Sequence, residues 1–376
     1  MSAMNVSTDG VIIGGGVIGL TVAFRLAQAG QSVALLERGQ TGREASWAGA
    51  GILPPGDSTA AATSIDRFRC RSVELYPSLT AELRQLTAID NEYRVSGGIE
   101  FLAAGEQHRV DCWRSQNIVA QPASVADLLG INVPLGLSAF VLPEFAQVRN
   151  PRHLKALRAA CVKLGVRIHE DAEVVKLSLE AGRIAFVETH DGSRFAGGHF
   201  VAAAGSWSSQ LLDLKGTIRP IRGEMLLYRT EVPLLKSILL LDERYLVPRR
   251  DGHLLIGSTE ADGGDFLNRT TEAGLAELRA FAASVLPALR NVKPIRSWAG
   301  LRPGTADGLP YIGFVPGADN LILAAGHYRS GLQLSPATAE LVVDLILERG
   351  PFDPDFVPLF AADRIPNTTY QRTFRS

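Results

Sequence analysis

A strand–helix–strand pattern close to the start of the chain constrains its fold more than any other feature. An apolar run at Val11–Ile13 stops at Gly14, and a helical pattern of apolar residues follows. A second apolar run at Val33–Leu36 then ends on Glu37. Two such strands around one helix, within about 30 residues, are typical of the first unit of a Rossmann-type nucleotide-binding fold.

The turn between the first strand and the helix has the G-x-G-x-x-G spacing, at Gly14, Gly16 and Gly19. Gly14 permits the tight turn, Gly16 lets the backbone approach a pyrophosphate, and Gly19 lets helix and strand pack closely. The helix N-terminus adds free N–H groups and a partial positive charge. Glu37 can accept hydrogen bonds from ribose hydroxyls and would repel a 2′-phosphate. The alternative is a buried strand–turn–helix that binds nothing; the acidic residue favours an adenine dinucleotide.

Composition excludes several classes of protein. With 376 residues, 46% of them hydrophobic, the chain can bury a large core and form two domains. Its formal net charge of -1 argues against nucleic acid or an anionic membrane as the main partner. The three cysteines are scattered, which fits a reducing cytoplasm and predicts no metal site or disulfide framework. We expect no signal peptide and no membrane span, because the N-terminus lacks a basic region and Arg25 and Gly30 interrupt the long apolar stretch.

The segment Thr41–Gly56 is rich in small residues yet too apolar for an ordinary surface loop. Small side chains let a backbone approach a flat ligand, so this segment is a candidate ligand-binding loop. The alternative is a flexible connector, against which Trp47 in its middle argues.

The remaining segments alternate between helical and strand-like patterns. The predicted helices are 64–86, 112–129, 151–163, 271–286 and 336–348. The predicted strands are 93–103, 140–148, 165–169, 172–179, 183–189, 199–205, 218–229, 245–248, 253–258 and 321–325. Asp251-Gly252 predicts a hairpin between 245–248 and 253–258. Strand–glycine–helix returns at 199–209 and 321–348 belong with the N-terminal unit.

These patterns predict an α/β fold in which two antiparallel blocks interrupt a dinucleotide-binding domain. The predicted nucleotide domain is discontinuous and contains residues 1–84, 146–215 and 299–376. The predicted β-rich domain contains residues 85–145 and 216–298.

The chain resembles the FAD-dependent amine oxidases of the D-amino acid oxidase superfamily over nearly its whole length, and among them the members that oxidise glycine for thiazole synthesis in the thiamin pathway. Six ordered segments carry the resemblance: VIIGGGVIGL at 11–20, GREASWAGAGIL at 42–53, VAAAGSWSS at 201–209, YLVP at 245–248, WAGLRPGTADGLPYIG at 298–313 and AAGHYRSGLQLSPATAELVVDLI at 324–346. The resemblance implies a Rossmann-type FAD-binding domain with an inserted antiparallel β-rich substrate domain.

The resemblance also implies how FAD would lie along the chain. The adenine ribose would contact Glu37, the pyrophosphate would lie on Gly14–Gly19 and near Arg43, and the isoalloxazine against Ala45–Gly51. The loop Gly326–Gln333 would cap the flavin pyrimidine edge and enter a helix that begins near Pro336. A helix N-terminus there would stabilise the charge of the reduced flavin; the alternative is a plain strand-to-helix connection. The residues implied to contact FAD are Gly14, Gly16, Val17, Ile18, Glu37, Arg38, Arg43, Glu44, Ala45, Ser46, Ala48, Gly49, Ala50, Gly51, Val174, Ala204, Gly205, Trp207, Gly326, His327, Tyr328, Arg329, Ser330, Gly331, Leu332 and Gln333.

Three residues are implied to act on the substrate. Arg302, within the RPG context of the family, would bind the substrate carboxylate, with Tyr245 on the same carboxylate and Arg329 serving the substrate, the flavin edge or both. From the residues alone, an exposed turn arginine is the more probable interpretation of Arg302, and the resemblance to the family reverses it; the alternative for Tyr245 is an amphipathic strand tyrosine. The implied reaction transfers a hydride from the α-carbon of glycine, sarcosine or D-alanine to flavin, giving an imine, then a 2-oxo acid and ammonia, with O2 forming hydrogen peroxide. His327 is expected to be structural, because this reaction needs placement more than a base.

Other functions share parts of this pattern. A D-amino acid or sarcosine dehydrogenase would keep the fold and use an electron acceptor other than O2, and a flavin-binding assembly protein would lack catalysis. Arg302 and Tyr245 argue against the second. Glu243-Arg244 departs from the family, in which a histidine or another polar pair is often found, so the substrate is the least certain inference. Homo-oligomerisation is left open.

Overall fold

The computed structural model describes residues 6–214, 217–262 and 264–366. Its strands are β1 (Val6–Ile13), β2 (Val33–Leu36), β3 (Ile52–Leu53), β4 (Arg94–Val95), β5 (Gly98–Ala103), β6 (Gln121–Pro122), β7 (Leu137–Leu142), β8 (Ala146–Gln147), β9 (Arg167–His169), β10 (Val174–Glu180), β11 (Arg183–Thr189), β12 (Arg194–Ala202), β13 (Arg219–Arg229), β14 (Ile238–Leu241), β15 (Arg244–Pro248), β16 (His253–Gly257), β17 (Arg296–Gly304), β18 (Tyr311–Val315) and β19 (Ala318–Ala325). Its α-helices are α1 (Val17–Gln28), α2 (Ala45–Ala48), α3 (Ser64–Glu74), α4 (Tyr76–Thr87), α5 (Gln107–Ser115), α6 (Asn150–Lys163), α7 (Ser208–Leu211), α8 (Glu272–Val285), α9 (Gly331–Ile346) and α10 (Phe356–Phe360). Two 3-10 turns lie at Gly205–Trp207 and Pro287–Leu289.

The first sheet is built on the N-terminal unit. Its order is β10-β11-β12-β1-β2-β9, with β19 beside β12 and β18 beside β19. The strands β12, β1, β2 and β9 run parallel, and β19 joins β12 in the same sense. Helices α1 and α9 pack beside each other, and with α3 and α6 they form one buried apolar cluster. The predicted α/β class with a nucleotide-binding sheet is confirmed.

The second sheet has the order β17-β13-β16-β15-β14-β5-β7-β6. Its pairs are antiparallel, including the predicted β15–β16 hairpin, with one exception. The exception is β14, which runs parallel to β5, because two separate blocks of the chain meet there. Helix α8 packs on this sheet through a second apolar cluster that contains Leu278 and Phe281. Within the described residues, no helix is long and apolar enough to cross a bilayer.

Helix α9 begins at Gly331, so the prediction of a start near Pro336 was wrong by more than one turn. Pro336 lies inside the helix and cannot donate to the carbonyl of Leu332. That carbonyl instead accepts from the hydroxyls of Tyr76 and Ser335. The Ser72 hydroxyl enters the next turn, where it donates to the Gln333 carbonyl at 2.7 Å and accepts from the Ala337 N–H at 3.1 Å. Side chains of α3 and α4 thus satisfy the backbone groups that the proline leaves.

Two other helix predictions were also wrong. The single helix predicted over 64–86 is two helices, α3 and α4, which meet at Leu75. Pro77 in the first turn of α4 cannot donate a backbone hydrogen bond across the junction. Surface helices were predicted within 112–129, but the only α-helix of the described residues there is the end of α5, which stops at Ser115 before Asn117 takes a left-handed conformation with φ of 57°.

The two-domain division stays a prediction. The described sheets follow it broadly, but the boundary at 298/299 falls inside β17, a strand of the second sheet. A small sheet, β3-β8-β4, joins segments from both predicted domains. Residues 1–5, 215–216, 263 and 367–376 of the predicted domains lie outside the described residues.

Candidate active site

A groove opens at the carboxyl ends of β1, β2 and β12, where the parallel sheet meets α1. We call it the glycine-loop groove; its empty volume is about 1390 Å³, part of it open to solvent. The predicted FAD residues that line it are Gly14, Gly16, Val17, Ile18, Glu37, Arg38, Glu44, Ala45, Ser46, Val174, Ala204, Gly205, Trp207 and His327. Open α/β sheets bind ligands at this edge, where the strand order reverses.

The glycine loop leaves no room for side chains where the motif has glycine. Gly14 has a φ of 111°, and a Cβ there would lie 2.4 Å from the carbonyl oxygen of Ala203. A Cβ on Gly19 would lie 1.9 Å from the Gly14 carbonyl oxygen, so helix and strand meet only with glycine at this position. At Gly16 the nearest atom to a Cβ would be the Ser46 hydroxyl, at 3.3 Å.

The start of α1 is suited to an anion. Gly16 occupies the N-cap without a side-chain hydrogen bond, and the first turn contains no acidic residue. The Val17 N–H donates to the Ser46 hydroxyl at 2.9 Å, and the Gly15 N–H donates to Glu37 Oε2 at 2.7 Å. Glu37 Oε1 accepts from the Gly39 N–H at 3.0 Å. Each Glu37 oxygen has a further lone pair, so the carboxylate fixes the loop and still has acceptor capacity.

A second space adjoins the groove at Ala45 and Ser46. We call it the arginine cavity; its empty volume is about 870 Å³, part of it open to solvent. The predicted residues that line it are Ala45, Ser46, Ala48, Gly49, Ala50, Gly51, Tyr245, Arg302, Tyr328, Arg329, Gly331, Leu332 and Gln333. The structure therefore brings the small-residue loop together with all three predicted substrate residues.

Arg302 lies on β17 and extends across the neighbouring strand. A Cβ on Gly223 of β13 would lie 2.1 Å from Arg302 Nη2, so glycine there makes room for the guanidinium. Arg302 Nη2 donates to the Ser258 hydroxyl at 2.7 Å, and Nη1 donates to the Thr259 carbonyl at 3.3 Å. These partners are uncharged, and no ion pair of the described residues includes Arg302. Burial lowers the pKa of Arg302, so this cation lies in a site that favours an incoming anion.

Tyr245 is the second residue of β15 and lines the same cavity. Its register partner on β16 is Gly257, where a Cβ would lie 2.6 Å from the tyrosine ring. The Tyr245 hydroxyl lies 3.4 Å from the sulfur of Met225. Thioether sulfur is a weak acceptor, so this hydroxyl can turn to a stronger one.

Arg329 reaches the cavity but is paired with two glutamates. Its Nη2 contacts Glu243 Oε2 at 2.5 Å and also forms an ion pair with Glu260, to which Nε donates at 3.1 Å. Burial lowers the pKa of Arg329, but hydrogen bonding to Glu260 and the nearby Tyr328 outweigh it, so the pKa lies above its ordinary value. The two arginines of this cavity therefore differ: the pKa of Arg302 is lowered and it has no ion pair among the described residues, whereas the pKa of Arg329 is raised and it pairs with two glutamates.

The small-residue loop is held by side chains that sequence analysis missed. The carbonyl of Ser46 accepts from Asn150 Nδ2 at 2.8 Å, and the carbonyl of Ala48 from Trp298 Nε1 at 3.0 Å. The carbonyl of Ala50 accepts from Arg249 Nη2 at 2.7 Å. We define Asn150, Trp298 and Arg249 as the loop anchors. The only sequence signal for them is polar residues beside strand and helix ends, which is too common to single them out.

Arg249 is the most constrained of the loop anchors. Its Nη1 donates to Gln147 Oε1 at 2.8 Å and to the Val148 carbonyl at 3.1 Å. Burial lowers the pKa of Arg249 to about 10. The buried guanidinium thus donates to neutral acceptors at Gln147, Val148 and Ala50, which fixes the end of β8 relative to the loop.

His327 lies in the groove wall as a neutral side chain. Its Nε2 lies 2.9 Å from the Thr338 hydroxyl of α9, and burial lowers the pKa of His327 to about 3. A histidine that stays neutral to such low pH supports the expected structural role.

Three predicted FAD residues line neither space. Arg43 is exposed on the outside of its loop, and Gly326 and Ser330 lie behind the cavity wall. Gly326 has a φ of 87°, and a Cβ there would lie 2.6 Å from Thr305 Cγ2, so it shapes the turn that carries His327 and Tyr328. The roles assigned to individual residues toward FAD stay predictions.

Comparison with known proteins identifies the family. Residues 9–345 match the family described as FAD dependent oxidoreductase, DAO. The chain belongs to this family. Glycine oxidase of Pseudomonas aeruginosa is 38% identical over 349 residues, which cover 91% of this chain and 95% of that protein. The bifunctional protein ThiO/ThiG of Synechocystis is 35% identical, over 92% of this chain and 52% of that protein.

Among solved structures, glycine oxidase from Geobacillus kaustophilus superposes with a TM-score of 0.88 and 32% sequence identity. The match covers 96% of this chain and 100% of that one. The cofactor of this DAO-family chain is FAD, and the residues fit it: a glycine turn without side chains, a helix start without an acidic residue, and a carboxylate at the end of β2. Within the described residues, no group of histidine, cysteine or carboxylate side chains is arranged to hold a metal ion.

Proposed function

We propose that this DAO-family chain is an FAD-dependent oxidase of glycine and other small amine-bearing acids, such as sarcosine and D-alanine. The products are a 2-oxo acid, hydrogen peroxide and the released amine, which is ammonia from glycine or D-alanine and methylamine from sarcosine. Thiazole synthesis in the thiamin pathway is the proposed setting. Relatives named glycine oxidase and a bifunctional relative named ThiO/ThiG support this proposal. The observation that carries it is Arg302, a buried guanidinium with uncharged partners in the same cavity as the small-residue loop.

Arg302 would bind the substrate carboxylate with its planar fork, which fixes orientation as well as affinity. The Tyr245 hydroxyl would leave the Met225 sulfur and donate to the same carboxylate. The wall formed by Ala48, Gly49 and Ala50 would place the substrate against the groove and leave little room for a large side chain.

The glycine loop, Glu37 and the Val174 segment would hold FAD, and the loop anchors would fix the wall between FAD and substrate. When bound, FAD supplies a two-electron acceptor, which O2 reoxidises in an oxidase. The neutral His327 is not required as a base; the amine must be neutral when the substrate reacts, and the residues supply placement and exclusion of water.

The test is spectroscopic. The purified protein should be yellow, should release FAD on denaturation, and should bleach when glycine, sarcosine or D-alanine is added without oxygen. L-alanine is the control and should bleach it far more slowly. Oxygen consumption compared with dye reduction separates the oxidase from a dehydrogenase. A protein that releases FMN or NAD, or that L-alanine reduces as fast as D-alanine, would refute the proposal.

A further inference from the structure

The arginine cavity contains two guanidinium groups, and only one of them is paired with carboxylates. This difference affects how many carboxylates a substrate can have. Arg302 has uncharged partners, whereas Arg329 contacts both Glu243 and Glu260. Arg329 uses Nε and Nη2 on these carboxylates, and its Nη1 donates to the Glu243 carbonyl at 3.4 Å. Its donors are therefore largely committed before any substrate arrives.

The position of these groups makes the pairing effective. The Arg329 side chain is 8% exposed, whereas those of Glu260 and Glu243 are 32% and 52% exposed. Arg302 and Arg329 line the same cavity, but neither glutamate does, so the carboxylates compensate Arg329 without lining the space that a substrate would enter. A nearly buried cation keeps its charge only if it is compensated, and here Glu260 and Glu243 compensate it.

We propose that Glu260, assisted by Glu243, is a specificity-determining positioning residue that neutralises Arg329 and so restricts the cavity to substrates with one carboxylate. This inference rests on the proposed function and deepens it. Arg302 binds the single carboxylate of glycine, sarcosine or D-alanine. A second carboxylate would meet an arginine whose charge is already balanced, and would add an uncompensated negative charge beside Glu260.

The structure favours Glu260 over Glu243 as the main determinant. Glu260 contacts two donors of Arg329, Nε and Nη2, and is the less exposed of the two carboxylates. Burial would raise the pKa of Glu260, but hydrogen bonds from Tyr328 and Arg329 outweigh it and lower that pKa, so Glu260 is ionised at neutral pH. The more exposed Glu243 is better screened by water and contributes less.

The test compares the binding of acetate and of malonate to the FAD-loaded protein, with the change in flavin absorbance as the readout. The pH is mildly alkaline, so that both malonate carboxyl groups are ionised. Native protein should bind malonate no more tightly than acetate. In Glu260→Gln, the affinity for malonate relative to acetate should rise about tenfold, which corresponds to one charge-assisted hydrogen bond. Glu243→Gln should shift the ratio in the same direction by less.

Two further variants isolate the cause. Adding Arg329→Gln to Glu260→Gln should remove the gain, which a general loosening of the cavity would not do. Glu272→Gln breaks an exposed pair with Arg279 and lines neither space, so it should leave the ratio unchanged. With substrates, Glu260→Gln should lower the KM for iminodiacetate relative to glycine by a similar factor.

The outcomes separate this inference from the proposed function. Carboxylate binding is measured without turnover, so a chain that fails to oxidise glycine can still show the shift. An unchanged malonate-to-acetate ratio in Glu260→Gln with full FAD content would overturn the inference. If Glu260→Gln loses FAD, the milder Glu243→Gln decides, and the absence of any shift there overturns it.

Discussion

Replacing Arg302 by methionine separates binding of the substrate from stability of the fold. Arg302 is buried, lines the arginine cavity, and donates to the Ser258 hydroxyl and, at 3.3 Å, to the Thr259 carbonyl. In the proposed complex its fork forms two charge-assisted hydrogen bonds to the substrate carboxylate, worth about 1.5–3 kcal/mol each. Arg302→Met should therefore cost about 3–6 kcal/mol of transition-state binding, or about two to four powers of ten in kcat/KM for glycine.

The folded protein should tolerate this change. Burial lowers the pKa of Arg302, so the folded protein disfavours its charged form relative to water, and its two hydrogen-bond partners are uncharged. Losing two hydrogen bonds to neutral groups is offset by removing a cation that burial disfavours and that forms no direct ion pair among the described residues, so the free energy of unfolding should change by no more than about 1–2 kcal/mol. FAD content should stay at the native level, because Arg302 does not line the glycine-loop groove.

The assay compares kcat/KM, bound FAD and thermal unfolding in native protein, Arg302→Met, Arg302→Lys and Arg296→Met. Lysine should recover only part of the activity, since an ammonium cannot reproduce the planar fork. Arg296 lies on the same strand, β17, but outside the cavity lining, and is the matched control. Near-native kcat/KM for glycine in Arg302→Met would show that the carboxylate binds elsewhere, and the reasoning would fail.

Three further predictions concern the loop and the buried histidines. Arg249→Met deprives three buried acceptors of their donor, which costs about 1–3 kcal/mol each and is partly offset by removing a buried charge. The temperature of thermal unfolding and the retention of FAD should both fall, and unchanged FAD affinity would contradict the anchoring role. Gly51→Ala places a Cβ 1.9 Å from a backbone carbonyl oxygen and should lose FAD in a gel-filtration assay, whereas Gly308→Ala, at a similar positive φ with open space around it, should suffer only the backbone strain. Burial lowers the pKa of His153 to about 4 and of His327 to about 3, from 6.5. Below about pH 6.5 the unfolded chain binds protons that the folded chain does not, so the free energy of unfolding should fall with falling pH by up to about 1.4 kcal/mol per unit for each histidine. His153→Gln should flatten that limb in urea titrations at several pH values, and an unaltered slope would exclude His153 as a contributor.

The parts of the fold that are encoded locally could be predicted from the sequence. The glycine turn, its helix and the acid at the end of β2 lie within 30 residues, and every contact that defines them follows from that spacing. The β15–β16 hairpin was equally accessible, because Asp251-Gly252 specifies the turn. The start of α9 could not be predicted in this way. A proline normally marks the first helical turn, and only Ser72 and Tyr76, more than 250 residues away, allow Pro336 to lie inside the helix.

The same distance in sequence explains why the loop anchors were missed. The hydrogen bonds to the carbonyls of Ser46, Ala48 and Ala50 span 104, 250 and 199 residues. Small residues indicate that a backbone can approach a flat ligand, but they say nothing about which donors hold that backbone in place. A loop in which most side chains are small has to be fixed largely through its carbonyls, and the donors to those carbonyls come from the rest of the fold.

The two cavity arginines show where inference from a motif stops. Arg302 and Arg329 both lie in segments that resemble the family. The resemblance implies that Arg302 binds the substrate and that Arg329 serves the substrate, the flavin edge or both. Their electrostatic states differ because of residues 69 and 86 positions from Arg329, Glu260 and Glu243. Glu243 belongs to one of the segments at which the chain departs from the family pattern, the pair Glu243-Arg244. The structure gives that departure a physical effect, because Glu243 places a second carboxylate on Arg329. A motif predicts which side chain reaches a cavity, but the charge available to a ligand depends on the groups that pair with that side chain. We therefore expect the specificity of this site to depend on residues outside the segments that resemble the family.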